Sequence, residues 1–242
     1  MAIHRTKAIA ARHNPLVECL VAFQATKLYD LVAAAPLITW YSFLLTLQLP
    51  MLAHEIDAAH LATADARAYA AVMSKLATQI FFIMVVLLLA LRRRPLGRTS
   101  GLLARFAAVA GTFLGVAIVQ LPTRELSVTL SMMSTSLILF GVVFSLYTVA
   151  HLGRSLSMMP EARRLVTSGP YAVLRHPLYV GEAISLLGVT LQYMYPWALV
   201  FFTVQCIFQF ERMKNEERIL SRTFPEYRDY MIRTARLIPG VY

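Results

Sequence analysis

Residues 165–181, with the sequence LVTSGPYAVLRHPLYVG, hold the densest group of side chains that could bind or transform a ligand. The pairs Gly169–Pro170 and His176–Pro177 interrupt helix, because the residue before a proline is driven towards extended geometry and proline lacks an N–H donor. Backbone groups without helical partners are then available to a ligand. We therefore expect a ligand-binding loop in this segment.

The end of this loop is expected to begin a helix, because Pro177 suits the first helical position. A helix N-terminus presents free N–H donors that favour a carboxylate or a phosphate. Polar and aromatic side chains cluster around it, namely Tyr171, Arg175, His176 and Tyr179. The same residue types also fit an interfacial belt, in which tyrosines anchor and arginine extends towards the lipid surface.

A second cluster lies in residues 210–220, FERMKNEERIL. Arg212 and Glu216 are four residues apart and share a helix face, and Glu217 follows directly. A surface ion pair would contribute little to stability. However, arginine before glutamate is the less favourable order for such a pair. The cluster also follows an apolar stretch directly, at a membrane depth where ionisable groups are candidates for function.

The composition indicates an integral membrane protein. Of the 242 residues, 58% are hydrophobic and only 15% are charged, whereas soluble domains carry about a quarter charged residues. This excludes a disordered tail, a coiled coil and a collagen-like fibre. Cys19 and Cys206 are too few for a disulfide framework and belong to no metal-type cluster. The net charge of +10 could suggest nucleic acid, but on so apolar a chain it is typical of cytoplasmic loops.

Six stretches are apolar enough to cross about 30 Å of hydrocarbon. The predicted fold is therefore all-α and polytopic, with about six transmembrane helices, a tight hairpin between the last two and a cytoplasmic cofactor pocket formed by the C-terminal third. The predicted spans are 28–52, 72–91, 102–121, 130–152, 178–194 and 196–210.

The distribution of basic residues predicts the orientation of these spans. All but Arg67, Lys75 and Arg124 of the 23 lysines and arginines fall on one side. Because basic loops stay in the cytoplasm, both termini are predicted to be cytoplasmic. No apolar stretch of signal-peptide length precedes a cleavage site.

The chain divides by function into two regions. Residues 1–151 contain the first four predicted spans, joined by short loops with little chemistry. Residues 152–242 contain the helical hairpin, the cytoplasmic tail and the polar residues that could do chemistry. In the first region HEIDAAH is predicted to be a polar loop rather than a zinc site, because its histidines are six residues apart instead of four. Gly111 and Gly115 permit close helix packing.

The C-terminal region resembles the isoprenylcysteine carboxyl methyltransferase family and its relatives, the membrane phospholipid methyltransferases. The matching segments are LVTSGPYAVLRHPLYVG, RMKNEE and FPEYRDYMIRTARLIPG, in this order. They span residues 152–240, whereas the first 150 residues are similar only in being apolar.

The resemblance implies S-adenosylmethionine bound at the cytoplasmic face and a tunnel that admits a lipophilic substrate from the bilayer. It implies that Arg212 binds the substrate and, with the adjacent Glu217, forms the candidate catalytic pair. The eukaryotic enzymes carry a histidine where this chain has Arg163 and Arg164. The cofactor residues that it implies are Leu165 and Val166 through their backbone, together with Tyr171, His176, Pro177, Leu178, Tyr179 and Glu216.

The chemistry of this reaction suits these residues. Methyl transfer from a sulfonium is an in-line displacement that depends on positioning more than on proton transfer. A carboxylate acceptor is already ionised at about pH 7 and needs no general base. Arginine suits the two-bond recognition of a carboxylate better than lysine does. Arg212 therefore favours carboxyl O-methylation of a prenylcysteine-like acid.

Other functions stay open at this point. Phospholipid N-methylation and methylation of a small hydrophobic thiol, with His176 as base, use the same cofactor. Glu182 completes an RHPxYxGE-like segment that is similar to NADPH-dependent membrane sterol reductases. A transporter or scaffold would place polar residues in several spans, and the second to fourth contain almost none. The composition favours a bacterial inner-membrane protein whose site faces the cytoplasm and which binds no nucleic acid; its physiological acceptor and oligomeric state stay open.

Overall fold

The computed structural model describes residues 26–61, 66–98, 101–157, 159–193 and 195–240. Helix dominates these residues, in accordance with the predicted class. The only sheet that they contain is a two-stranded antiparallel ribbon of β1 (Gly97–Arg98) and β2 (Glu161–Ala162). The helices are α1 (Lys27–Leu61), α2 (Ala66–Leu91), α3 (Leu102–Ile118), α4 (Val128–Leu152), α5 (Pro177–Thr190), α6 (Trp197–Thr223) and α7 (Tyr227–Arg233).

Three of these helices are long and apolar enough to cross a membrane, over Lys27–His54, Ala68–Leu91 and Val128–Ser155. Shorter apolar stretches occur at Phe106–Gly115 and Pro177–Thr190. The 14 residues of α5 cover about 21 Å of a hydrocarbon layer of about 30 Å. The chain is thus a mostly helical integral membrane protein, and its six spans and cytoplasmic termini stay predictions.

Two local boundaries differ from the sequence prediction. HEIDAAH is helical and not a loop, because α1 continues to Leu61. The connection between α5 and α6 is longer than Tyr195 alone, since α5 ends at Thr190 and α6 begins at Trp197.

The longer connection has its own backbone partners. The Gln192 carbonyl accepts from the Arg124 N–H at 3.0 Å, and Tyr193 forms an isolated bridge with Thr123. These contacts join the chain after α5 to the loop before α4 and satisfy peptide groups that would otherwise continue the helix.

Small residues bring α5 close to α4. A Cβ on Gly188 would lie 2.7 Å from the Ser134 carbonyl oxygen, and one on Gly181 would overlap Ser145 Oγ. The Ser134 hydroxyl donates to the Gly188 carbonyl at 2.8 Å. Such close approach is how helices pack in lipid, where dispersion and hydrogen bonds replace the hydrophobic drive. It fixes the position of α5, the helix that begins at the predicted ligand loop.

A buried ion network fixes the chain just before that loop. Asp30 on α1 is fully buried and accepts from Arg92 Nε at 3.0 Å and from Arg163 Nη2 at 2.8 Å. Arg163 Nη2 also donates to Glu161 at 2.6 Å. Because the buried Asp30 carboxylate is paired with two arginines, the network is compatible with burial. It joins the start of α1, the end of α2 and the segment that leads into Leu165.

Candidate functional site

The predicted ligand loop is held by the C-terminal segment of the chain. Leu174 pairs with Ala235 in a parallel bridge, the Arg175 N–H donates to the Ala235 carbonyl at 2.8 Å, and the His176 N–H donates to the Arg236 carbonyl at 3.2 Å. Pro177 then begins α5, as predicted. The prolines keep the backbone out of helix, and the ARLIPG segment supplies the partners that a helix would have supplied.

Tyr230 on α7 fixes the middle of the same loop. Its hydroxyl donates to the Tyr171 carbonyl at 2.7 Å, and both tyrosines are buried. Burial raises the pKa of Tyr230 to about 12, so the hydroxyl stays protonated and keeps donating at neutral pH. At the loop's turn Gly169 has φ +60, and a Cβ there would overlap the His151 ring. Only glycine therefore fits this turn.

Glu217 on α6 lies at the junction of loop and tail. Arg236 contacts both of its carboxylate oxygens, at 3.0 Å through Nε and 2.5 Å through Nη2. His176 Nε2 and Arg175 Nε lie 3.2 and 3.4 Å from Oε1. Burial raises the pKa of Glu217, but the hydrogen bonds of His176 and Arg236 outweigh it and lower the pKa to about 2. Glu217 is thus a carboxylate held by three basic side chains.

Glu216, its neighbour in sequence, belongs to a different cluster. Its Oε1 accepts from the Tyr179 hydroxyl at 2.5 Å and from Arg212 Nε at 3.1 Å. The Arg212 guanidinium carbon lies 5.2 Å from the centre of the Tyr179 ring, a cation–π distance. Burial lowers the pKa of Arg212, but the negative charges of Glu216 and Glu182 help to raise it above its usual value. Arg212 is therefore a permanent cation.

These two clusters face different surroundings because adjacent helical residues point in different directions. Glu216 and Arg212 line a cavity of about 720 Å³, and Glu217 does not. This volume lies within the range of small-molecule sites. The cavity walls are mostly apolar and come from α1 to α6, the loop and the tail, with members such as Trp40, Phe81, Gly111, Leu165, Ile184 and Ile238.

The structure brings most of the predicted site residues to one cavity. Leu165, Val166, Tyr171, His176, Leu178, Tyr179, Arg212 and Glu216 all line it. Pro177 and Glu217 do not; Pro177 begins α5, and Glu217 binds the loop and the tail. Arg163 and Arg164, which stand where the eukaryotic relatives have a histidine, also line the cavity.

The donor set fits S-adenosylmethionine. Glu216 offers a carboxylate to the ammonium or the ribose hydroxyls, and Tyr171 and Tyr179 offer aromatic faces that suit the sulfonium. Leu165, Val166, Leu237 and Ile238 provide apolar wall for a base. These residues lie at the end of the cavity where loop and tail meet.

Sequence reasoning missed a polar stripe that continues into the cavity from Arg212. Gln205 and Gln209 line the same face of α6 as Arg212 and Glu216, and Glu182 faces them from α5. Gln209 Nε2 donates to Glu182 Oε2 at 2.9 Å, and Gln205 Nε2 donates to the Gly111 carbonyl. The signal was available, because positions 205, 209, 212 and 216 follow helical spacing in an apolar helix.

Comparison with known proteins supports the resemblance. Residues 129–227 match the phospholipid methyltransferase family, a family of membrane methyltransferases related to the isoprenylcysteine carboxyl methyltransferases. The family prediction is therefore confirmed over this segment, which is less than half of the chain. The segment runs from α4 to the start of α7 and includes Arg212, Glu216 and Glu217.

Two bacterial proteins are similar over parts of the chain. The nickel-cobalt-cadmium resistance protein NccN of Alcaligenes xylosoxydans xylosoxydans is 32% identical over 80 residues, which are 33% of this chain and 38% of NccN. The cobalt-zinc-cadmium resistance protein CzcN of Cupriavidus metallidurans is 36% identical over 84 residues, which are 31% of this chain and 35% of CzcN. The chain thus spans little more than a third of these relatives.

Proposed function

We propose that this protein transfers the methyl group of S-adenosylmethionine to the carboxylate of a lipophilic, prenylcysteine-like acid that enters from the bilayer. The observation that carries the proposal is the position of Arg212, a buried cation that lines a mostly apolar cavity beside the predicted cofactor residues. We place the reaction at the cytoplasmic face of a bacterial inner membrane, because the loop and the tail lie on the side of the predicted spans that carries all but three of the 23 basic residues.

Glu216 holds the cofactor in this proposal, and Tyr179 positions Glu216. The carboxylate accepts from the Tyr179 hydroxyl at 2.5 Å and so keeps one orientation towards the cavity. Its second oxygen lies 3.9 Å from His176 Nδ1. When bound, S-adenosylmethionine supplies an electrophilic methyl group on a positively charged sulfur. The chain contributes position and charge, which is what an in-line displacement needs.

Arg212 binds the acceptor carboxylate. Its Nε is occupied by Glu216 at 3.1 Å, whereas its Nη1 lies 3.4 Å from Thr112 Oγ1, beyond ordinary hydrogen-bond length. The two Nη groups can therefore form the paired bonds with which arginine recognises a carboxylate. With S-adenosylmethionine bound, Arg212 would hold an acceptor oxygen for attack on the methyl carbon, and the carbon–sulfur bond would break. No proton moves, and both charges disappear, which the apolar walls favour.

Phospholipid N-methylation is the second candidate, and a specific observation favours it. Two carboxylates whose charges act on Arg212, those of Glu216 and Glu182, also line the cavity. They could hold the ammonium group of an aminophospholipid, and the matched family carries the name of such enzymes. The two candidates differ in the residue that they need, which is Arg212 for an acid and Glu182 for an amine.

Calorimetric titration of the detergent-purified protein with S-adenosylmethionine, and separately with NADPH, tests the cofactor assignment. S-adenosylmethionine should bind and NADPH should not. Glu216→Gln should weaken the affinity for S-adenosylmethionine by about tenfold to a hundredfold, because a hydrogen bond to a charged group is lost.

Glu211→Gln is the matched control for this titration. Glu211 lies on the same helix but is exposed and pairs with Lys214 at 2.7 Å. Its replacement should leave the affinity unchanged. Equal affinities of the Glu216→Gln and wild-type proteins would contradict the assignment of Glu216, and binding of NADPH would favour the reductase.

A further inference from the structure

Two buried amide oxygens in the cavity have no partner. Gln205 Oε1 and Gln209 Oε1 are buried and accept no hydrogen bond from the residues that the structure describes. Both side chains line the cavity, and Gln205 is only 6% exposed. An acceptor left unpaired in an apolar membrane interior is costly. A ligand that brings a donor would remove this cost.

The orientation of both amides follows from their other contacts. Gln209 Nε2 donates to Glu182 Oε2 at 2.9 Å, and an ionised carboxylate can only accept. Gln205 Nε2 bonds to the Gly111 carbonyl, which can also only accept. Reversing either amide would set two acceptors against each other, so the nitrogen must face these partners. The atoms left for a ligand are therefore two oxygens, and both need a donor.

Gly111 keeps this part of the cavity open. It lines the cavity on α3, and its missing side chain leaves room beside Gln209, whose Oε1 would lie 3.7 Å from a Cβ built there. Gln209 Oε1 thus borders a space between α3 and α6.

The spacing along α6 sets where the donor must lie. At 1.5 Å per residue, Gln209 is about 5 Å and Gln205 about 10 Å along the axis from Arg212. The sequence order on this face is Glu216, Arg212, Gln209 and Gln205. If the carboxylate of a molecule binds Arg212, its hydrophobic part would therefore lie beside both glutamine oxygens.

We infer that Gln205 and Gln209 form a subsite for a hydroxyl or N–H group in the middle of the acceptor's hydrophobic part. This deepens the proposed function and rests on it for the position of the carboxylate. The acceptor class is an amphiphilic acid with a second polar group about 5 to 10 Å from the carboxylate. A plain hydrocarbon chain, an unsubstituted prenyl chain included, would leave both oxygens unsatisfied, so among lipophilic acids the site should favour those that carry such a polar group.

The test compares stearic acid with stearic acids hydroxylated in mid-chain. Cys206 lines the cavity next to Gln205 and is a free thiol, so bound acid should protect it from N-ethylmaleimide. The measurement uses the chain of 242 residues carrying Cys19→Ser, in which Cys206 is the remaining cysteine. With glutamine at positions 205 and 209, the hydroxylated acid should bind about tenfold more tightly than stearic acid, which is the contribution of one hydrogen bond.

Replacement of the glutamines should remove this preference. In Gln205→Leu/Gln209→Leu the two acids should bind within about twofold of each other. Gln79→Leu is the matched control, because Gln79 is also buried with an unpartnered Oε1 but does not line the cavity. It should keep the tenfold preference. Equal binding of the two acids to the protein with both glutamines would overturn the inference. A preference for the hydroxylated acid that persists in the double variant would also overturn it.

Arg212→Lys separates this inference from the proposed function. It should weaken both acids alike and keep their ratio. An unchanged affinity for both acids in Arg212→Lys would overturn the carboxylate site alone, and the ratio would still decide the subsite. Protection of Cys206 by neither acid would overturn both.

Discussion

Two charged clusters occupy adjacent turns of α6 and have opposite compositions. Around Glu217, one carboxylate is surrounded by three basic side chains, Arg175, His176 and Arg236, and Glu217 itself does not line the cavity that Arg212 lines. Around Arg212, one cation is surrounded by two carboxylates, and all three line the cavity.

The difference separates a structural cluster from a candidate active site. Both oxygens of the Glu217 carboxylate are engaged by the loop and the tail, and Glu217 does not line the cavity. Arg212 has one firm bond, at 3.1 Å to Glu216, and a long contact to Thr112. Its unsatisfied donors face a cavity. We therefore propose a positioning role for Glu217, and its pairing with Arg212 as a catalytic residue stays a prediction.

The largest expected effect follows from replacing Arg212. Arg212→Ala should lower turnover of a farnesylcysteine-type acid by about a hundredfold or more, because a two-bond contact to a charged group is lost in an apolar site. Arg212→Lys should restore little, since an ammonium cannot form the paired bonds. Rates at saturating S-adenosylmethionine measure this. Restoration by lysine would indicate that only the charge matters.

A control distinguishes a lost contact from a lost fold. Arg218→Ala removes an exposed arginine on the same helix, whose Nη1 donates to Asn215 Oδ1 at 2.8 Å, and should leave turnover unchanged. Turnover of an aminophospholipid that survives Arg212→Ala but is lost in Glu182→Gln would favour N-methylation instead.

Replacing Glu217 should lower the stability of the fold more than it lowers turnover. Its pKa is about 2 in the folded protein against an ordinary value of 4.5. A carboxylate whose pKa is lowered by folding stabilises the fold above its ordinary pKa, and this contribution is lost as the pH falls from about 4.5 towards 2. Glu217→Gln should therefore lower the free energy of unfolding by about 2–3 kcal/mol at neutral pH.

The pH dependence identifies the cause of that loss. Thermal unfolding in detergent should show that wild type and Glu217→Gln converge as the pH falls through this window. Glu211→Gln, which removes an exposed carboxylate, should match wild type throughout. A constant gap between the Glu217→Gln and wild-type proteins at all pH values would contradict the charge-based account.

Much of the fold and site could be predicted, because their signals are local. The loop follows from Gly169–Pro170 and His176–Pro177, and the shared face of Arg212 and Glu216 follows from their spacing. Contacts between distant segments could not be predicted in this way. Arg236 reaches Glu217 only because the tail pairs with the loop at Leu174 and Ala235.

The misses have the same physical origin. The hairpin connection is longer than expected because the chain around Gln192 finds partners in the loop before α4. HEIDAAH is helical because polar residues at the end of a long helix can continue it. Gln205 and Gln209 follow a helical period in the sequence, but this spacing does not show that a cavity lies beside them. Their role as candidate ligand contacts follows only from the structure.

The smallest expected effect tests whether Glu216 and Arg212 have separate roles within their cluster. Tyr179→Phe removes the hydroxyl that donates to Glu216 at 2.5 Å but keeps the ring 5.2 Å from the Arg212 guanidinium carbon. Glu216 loses its fixed orientation while Arg212 keeps its cation–π contact. The affinity for S-adenosylmethionine should therefore fall by about threefold to tenfold, as expected for one hydrogen bond, and turnover at saturating cofactor should change little. Calorimetry and initial rates measure the two quantities, with Tyr147→Phe as the control because Tyr147 is 50% exposed and does not line the cavity. If turnover at saturating cofactor fell as much as the affinity, Tyr179 would act on the acceptor through Arg212. The roles of Glu216 and Arg212 would then not be separable.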